Sequence, residues 1–107
     1  MKIALFCHLA PDSEAKRMQY RADHLRFIEA NRDSIVFGGP LLDASGHPET
    51  MLLVVEAVDE LAARAFLRDE PYTAHGIFAE IRAQVWLQVL PEAEPGALAR
   101  QIELAQA

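Results

Sequence analysis

MLLVVEA, residues 51–57, is nearly all apolar, and this run decides the fold. A strand of this kind is usually buried on both faces, so we expect it at the centre of the sheet. Asp59 follows as the predicted N-cap of a helix that Pro71 is expected to end. The predicted inward residues of that helix are Leu61, Ala62, Ala65 and Phe66.

The segment before the central run predicts another strand. Ser34 to Phe37 is β-prone. Gly38-Gly39-Pro40 is expected to close it as a turn, because glycine lacks a Cβ and proline fixes its own φ angle. The polar residues from Asp43 to Pro48 read as a loop. A strand, a turn and a loop therefore lead into the central strand.

Two alternating segments lie further out and predict the outer elements. Lys2 to Leu9 and Ile81 to Val89 both alternate with period two, as strands do. Between the first two strands, a helix from Asp12 or Ser13 to about Asn31 is expected to face inward through Ala15, Met18, Ala22, Leu25 and Ile28. The order βαββαβ predicts an α+β, ferredoxin-like fold with an antiparallel sheet and both helices on one face.

The second face of this sheet is left without helices. It carries Ala4, Phe6 and His8 from the first strand and Arg82, Gln84, Trp86 and Gln88 from the last. Aromatic side chains on an exposed face are typical of a partner surface. We therefore expect a homodimer in which two such sheets enclose a barrel-like space.

Composition limits the partners and the setting. Of 107 residues, 51% are hydrophobic, which suits one domain, predicted at residues 1–90, with a C-terminal arm or helical tail at 91–107. The net charge of −6 disfavours nucleic acid and anionic membranes as partners. The single cysteine, Cys7, is expected to be buried, and the absence of a signal peptide pattern favours a cytoplasmic protein.

Two groups of polar residues are candidates for chemistry. His24 lies beside the predicted apolar stripe and shares a helix face with Arg21. On spacing alone, a structural histidine and a solvated arginine are the simpler interpretation. Asp69 and Glu70 precede Pro71 and Tyr72, at the expected C-terminal end of the second helix, where negative charge opposes the dipole. They are either exposed acids or compensated by a cation, a histidine or a ligand.

Common catalytic and cofactor motifs are absent. The sequence contains no GxGxxG, GxxxxGK[ST], HExxH, CxxC or GxSxG pattern, and its four histidines do not have metal-ligand spacing. We therefore predict neither a metal nor another cofactor.

Five short patterns in register resemble the YCII-related family over about residues 1–89. They are Arg21-x-x-His24-Leu25, Gly39-Pro40-Leu41, Val55-Glu56-Ala57, a helix with Ala62, Ala63 and Phe66, and Pro71-Tyr72-x-x-x-Gly76-x-Phe78. The resemblance implies a ferredoxin-like dimeric α+β barrel. It also implies a pocket in which His24 pairs with an acid just before the Pro-Tyr turn. The family usually has aspartate directly before this proline, whereas Glu70 stands here, so Asp69 and Glu70 are both candidates. Thr50 replaces a family glycine and is expected to narrow the pocket.

Some members of this family act as lyases or dehalogenating enzymes on hydroxylated rings, which suggests a function. A carboxylate that orients a histidine lets the ring take up and return a proton without a cofactor. The prediction is a lyase, dehalogenase or isomerase acting on a small hydroxylated ring or a lactone-like substrate. The predicted catalytic residues are His24, Glu70 and Asp69, and the predicted substrate contacts are Arg21, Gly39, Pro40, Tyr72, His8 and Trp86. A non-catalytic binding or sensor module and a dimerisation scaffold remain alternatives.

Overall fold

The computed structural model describes residues 1–107 as a four-stranded antiparallel sheet with helices on one face. The spatial strand order is β2-β3-β1-β4, which is the ferredoxin-like arrangement predicted from the sequence. The strands are β1 (Lys2–Leu9), β2 (Ile35–Leu42), β3 (Pro48–Glu56) and β4 (Phe78–Val85). The helices are α1 (Glu14–Ala30), α2 (Glu60–Phe66), α3 (Pro71–Ala74) and α4 (Ala97–Gln106). None of them combines the length and apolar character needed to cross a bilayer.

The core lies between the helices and the two central strands. Ile3 pairs with Val55, Leu5 with Leu53 and Cys7 with Met51, so odd-numbered residues of β1 and β3 share the helical face. Ala63 and Leu67 are fully buried against them. Burial and the nearby negative charge of Glu70 raise the pKa of Cys7 to about 12, against a smaller opposing effect of Arg64. Cys7 is therefore an inert core residue, as its sequence position predicts.

The other face of the sheet is covered only in part. Phe37 lies on the edge strand β2 and Trp86 directly follows the opposite edge strand, β4. Their rings meet edge to face, with centroids 5.0 Å apart. Val54, which pairs with Phe37, and Ala4, which pairs with Val54, are only 1% and 6% exposed. Arg82 lies over the ring of Phe6, 5.3 Å from its centroid. The face thus has an aromatic cover of its own, although Phe37 is still 39% exposed.

The inward face of α1 differs from the prediction. Its buried residue is His24, at 3% exposure, whereas Met18 is 60% and Leu25 is 47% exposed. Ala15 and Ala22 are also exposed, and only Ile28 of the expected stripe packs against the core. The polar contacts of α1 with α3 determine its rotation, so the apolar spacing alone points to the wrong face. The same correction applies to α2, where Ala63 is buried while Leu61 and Ala65 are exposed.

The predicted ends of two elements, β2 and α2, are also wrong. Gly38-Gly39-Pro40 continues β2 instead of closing it, and a proline is tolerated there because β2 is an edge strand. Pro71 does not end α2, which stops at Phe66 and passes into a 3-10 turn, Leu67–Asp69. Pro71 instead occupies the first turn of α3, where its missing N–H costs nothing. Glu70 consequently caps the start of a helix and does not oppose the end of one.

The C-terminal arm extends away from the sheet. No residue of α4 is buried, and the radius of gyration is 16.0 Å, against about 13 Å for a compact chain of this length. The molecule measures 54 × 31 × 21 Å. The arm therefore accounts for the elongated shape and leaves the apolar side chains of Ile102 and Leu104 exposed.

Candidate active site

A small cavity opens between α1 and the helical face of β2 and β3. Its volume is about 240 Å³, which is below the roughly 300–1,000 Å³ of pockets for drug-sized ligands. Much of its wall is apolar, formed by residues such as Leu25, Ile28 and Met51. Its polar wall consists of Arg17, Arg21, His24 and Tyr72, and no carboxylate lines it. The cavity therefore suits one small ring that carries negative charge.

Glu70 lies behind this cavity and is held in place by its hydrogen bonds. Its side chain is 0% exposed, and Oε2 accepts hydrogen bonds from the backbone N–H groups of Tyr72 at 3.0 Å and Thr73 at 3.2 Å. These bonds cap α3 and hold the carboxylate plane. Oε1 is left to face α1, where it lies 2.5 Å from Nδ1 of His24. Helix capping thus aims the second oxygen at the histidine.

The two nitrogens of His24 have different surroundings. A carboxylate only accepts hydrogen bonds. Nδ1 of His24 therefore carries the ring proton and donates a hydrogen bond to Oε1 of Glu70. Nε2 makes no hydrogen bond within the chain, and it is not among the buried polar atoms that lack a partner, so it is accessible. His24 is also one of the residues that line the cavity. In the neutral ring, Nε2 therefore has a free lone pair, on a residue that lines the cavity. This is the tautomer that a general base requires.

Tyr72 holds the imidazole ring in place from the side. The two rings stack with centroids 4.0 Å apart and an interplanar angle of 1°. The Tyr72 hydroxyl donates to the backbone oxygen of Arg17 at 3.1 Å, and Phe78 packs edge-on against the tyrosine ring. Burial raises the pKa of Tyr72, and the positive charges of Arg21 and Arg17 offset only part of this rise. Tyr72 is thus a neutral side chain that restricts His24 to one orientation.

The structure separates the predicted site residues into two groups. Arg21, His24, Gly39, Pro40 and Tyr72 all line the cavity. Of the two acids that the sequence leaves open, Glu70 contacts His24, whereas Asp69 is exposed in the 3-10 turn. The cavity is also lined by a residue absent from the prediction, Arg17. Its sequence signal is the spacing of four residues before Arg21 and seven before His24, which places all three on one helix face.

His8 and Trp86, predicted as substrate contacts, do not line this cavity. Side chains of a strand alternate between faces, so His8 lies opposite the helices and hydrogen-bonds Thr50 at 2.9 Å between Nδ1 and the hydroxyl. Thr50 therefore does not narrow the cavity, and that expectation is wrong. Trp86 packs on Phe37 on the same distant face. No three His, Cys, Asp or Glu side chains cluster in a way that would hold a metal ion.

The fold and this site define a ferredoxin-like α+β protein with a buried histidine–carboxylate pair beside a small cavity. The chain belongs to the YCII-related domain family, whose sequence model matches residues 1–87. This agrees with the resemblance seen in the sequence patterns.

Solved structures add a further relation. The chain is 26% identical, with a TM-score of 0.75, to 5-chloro-2-hydroxyhydroquinone dehydrochlorinase from Burkholderia phenoliruptrix AC1100 in complex with 2,5-dihydroxybenzoquinone; the match covers 82% of this chain and 95% of that one. It is 18% identical, with a TM-score of 0.47, to an antibiotic biosynthesis monooxygenase-like protein from Nitrosomonas europaea, covering 83% of this chain and 99% of that one. No curated protein sequence matches it.

Proposed function

We propose that this chain is a cofactor-independent acid–base enzyme of the lyase, dehalogenase or isomerase type that acts on a small hydroxylated ring or a lactone-like substrate. The observation that carries the proposal is the asymmetry of His24. Its Nδ1 is held by buried Glu70, while its Nε2 has no hydrogen-bond partner and the residue lines a cavity the size of one ring. The dehydrochlorinase similar to this chain acts, by its name, on a hydroxylated aromatic ring, which supports the same substrate class.

The proposed proton transfer uses each residue in one role. Nε2 of His24 takes a proton from an O–H or C–H group of the substrate, and the electron pair of that bond moves into the ring system. In a dehalogenation the halide leaves from another ring carbon with its bonding pair; in an isomerisation the imidazolium returns the proton at a different atom. Glu70 stabilises the imidazolium, as carboxylates do in other histidine-based sites. Arg21, on the same cavity wall, steadies an anionic oxygen of the bound substrate.

The test is turnover of ring substrates by variants of the pair. Purified protein is offered 5-chloro-2-hydroxyhydroquinone and a panel of hydroxylated rings and lactones, with chloride release and product NMR as readouts. His24→Asn is expected to abolish turnover, because an amide cannot take up the proton. Asp69→Asn is the matched control, since Asp69 is exposed beside the buried acid. Unchanged turnover in His24→Asn would exclude the proposed base. Binding without turnover, retained in His24→Asn, would instead identify a binding or sensor module.

We also propose that two copies pair through the sheet face opposite the helices. The support is the apolar character of that face, where Phe37 and Leu41 are 39% and 45% exposed. Analytical ultracentrifugation at micromolar concentration is expected to show a dimer, and Phe37→Asp is expected to shift it toward monomer. A monomer in the unaltered chain would contradict the pairing.

A further inference from the structure

The cavity wall contains two arginines whose charges the fold does not neutralise. Arg17 and Arg21 both line the cavity, and no carboxylate lies within ion-pairing distance of either one. Arg26, Arg32 and Arg100 form ion pairs at the surface. Arg21 is exposed, whereas Arg17 is half-buried and still has no acidic partner. In a chain with sixteen acidic and ten basic residues, a half-buried guanidinium that faces a cavity without an acidic partner is a candidate contact for an anionic ligand. The buried Glu70 does not serve them, because its only ion-pair partner is His24 and its other contacts are backbone N–H groups.

The placement of the two arginines has a cost in the free protein. They are four residues apart on α1, and like charges at that spacing destabilise a helix. The Nε atom of Arg17 is also buried without a hydrogen-bond partner. A buried guanidinium N–H without an acceptor is unfavourable. An anionic oxygen in the cavity would reduce both costs, since a small turn of the flexible Arg17 side chain would direct its N–H groups to that oxygen.

The geometry indicates which anion the pair would bind. A guanidinium group donates paired N–H groups to two oxygens of a carboxylate or a phosphate, and the mostly apolar wall of a small cavity favours the carboxylate, which has the lower charge. Arg21 and His24 are three residues apart, and Arg17 and His24 are seven apart, so the three side chains extend over about 5 to 10 Å of the helix axis. One substituted ring can span that distance. The remaining wall is apolar and would enclose the ring itself.

We propose that Arg17 and Arg21 form a carboxylate subsite, so that the substrate is a small cyclic carboxylic acid with its reacting hydroxyl or C–H group at His24. This inference rests on the proposed function in placing the reacting atom at His24. The subsite itself rests on the cations and can be tested by binding alone. It also assigns Arg17 a role in specificity that is separate from proton transfer.

The experiment compares two probes that differ only in the carboxylate. The equilibrium binding of 2,5-dihydroxybenzoate and of 1,4-dihydroxybenzene is measured by NMR titration at low salt. We expect the carboxylate probe to bind about tenfold tighter or more, since charge-assisted bidentate contacts are strong. Arg17→Met keeps the apolar stem and is expected to remove most of this difference. Arg26→Met is the matched control, because Arg26 lies on the same helix and pairs with Asp23 at the surface.

Several outcomes would overturn the subsite. One is equal affinity for the two probes, and another is no binding of 2,5-dihydroxybenzoate at 10 mM. The third is an equal loss of affinity for 2,5-dihydroxybenzoate in Arg17→Met and Arg26→Met. Arg17→Lys provides a second variant in case the apolar substitution perturbs folding, and it should retain part of the preference. The result also separates the two proposals. Carboxylate binding that depends on Arg17, without any turnover that depends on His24, would support the subsite and refute the acid–base enzyme.

Discussion

Replacing Glu70 with glutamine should reverse the proton position on His24. Glutamine has the same length, but one of its terminal groups is an N–H donor. The side-chain oxygen can keep the two backbone N–H groups of Tyr72 and Thr73 only if the amide nitrogen faces Nδ1 of His24. Nδ1 must then accept, and the ring proton moves to Nε2. The opposite amide orientation would bring donors together at the start of α3, which is unfavourable.

The size of the effect follows from the three hydrogen bonds of the carboxylate. A bond to a charged group contributes about 1.5–3 kcal/mol and a neutral one about 0.5–1.5 kcal/mol, so each bond weakens by about 1 kcal/mol. Three bonds at a buried position therefore predict a loss of about 3 kcal/mol in the free energy of unfolding. The turnover number should also fall steeply, because placing the histidine in the wrong tautomer lowers kcat about 10⁴-fold in a Ser-His-Asp triad.

Long-range ¹⁵N–¹H NMR on labelled protein reads the tautomer without any substrate, and urea denaturation gives the free energy of unfolding. The neighbouring Asp69→Asn variant removes an exposed acid and should leave both readouts unchanged. If His24 in Glu70→Gln still carries its proton on Nδ1, the assignment of Glu70 as the orienting acid is wrong. A stability loss no larger than that of Asp69→Asn would likewise refute the capping argument.

Three further predictions concern the core, the edge strand and the arm. The pKa of Cys7, about 12, lies above its ordinary value of 9.0, so its stabilisation is complete below pH 9 and lost as pH rises toward 12. Urea denaturation should show a loss of about 2 kcal/mol by pH 10.5 that is absent in Cys7→Ala, and equal slopes would contradict this. Gly38→Ala would place a Cβ 2.8 Å from both a backbone oxygen and the Leu53 side chain, so thermal melts should show a loss of about 1–3 kcal/mol. Gly39→Ala meets no atom within 4 Å and should lose less than about 0.5 kcal/mol. Removing the residues after Pro91 should weaken self-association in ultracentrifugation without loss of the sheet's circular dichroism signal, and an unchanged dimer constant would exclude a role of the arm.

The two central strands were predictable because their signals are local, whereas β2 continues past Phe37 and β4 spans Phe78–Val85, not the predicted Ile81 to Val89. The alternation in Lys2–Leu9 and the apolar run at 51–57 depend on the period of a strand, and both strands lie at the centre of the sheet. The rotation of α1 was not predictable in this way. Its buried position is a histidine whose burial depends on Glu70, 46 residues away in the sequence. Apolar spacing contains no information about a polar contact over that separation.

The site was predictable in its residue types but not in its pairing. The sequence patterns single out His24 and two adjacent acids, and the choice between those acids depends on which one caps α3. That cap depends in turn on Pro71 starting a helix, a role that a proline after a helix pattern does not reveal. Arg17 was missed although its spacing from Arg21 and His24 places it on their helix face, because arginines on a helix are most often solvated and the spacing alone does not reveal the cavity.

The double use of Glu70 affects how this domain can diverge. One oxygen of the carboxylate maintains the chain path into α3 and the other maintains the histidine. A descendant without the proposed reaction would therefore still be selected to keep Glu70, because its loss would destabilise the fold. The pair alone is then a weak marker of retained chemistry among relatives. The guanidinium of Arg17 has no comparable structural role, since its Nε has no hydrogen-bond partner and it forms no ion pair. A lineage that changes substrate is free to replace it, so the residue at this position distinguishes inherited specificity from inherited architecture.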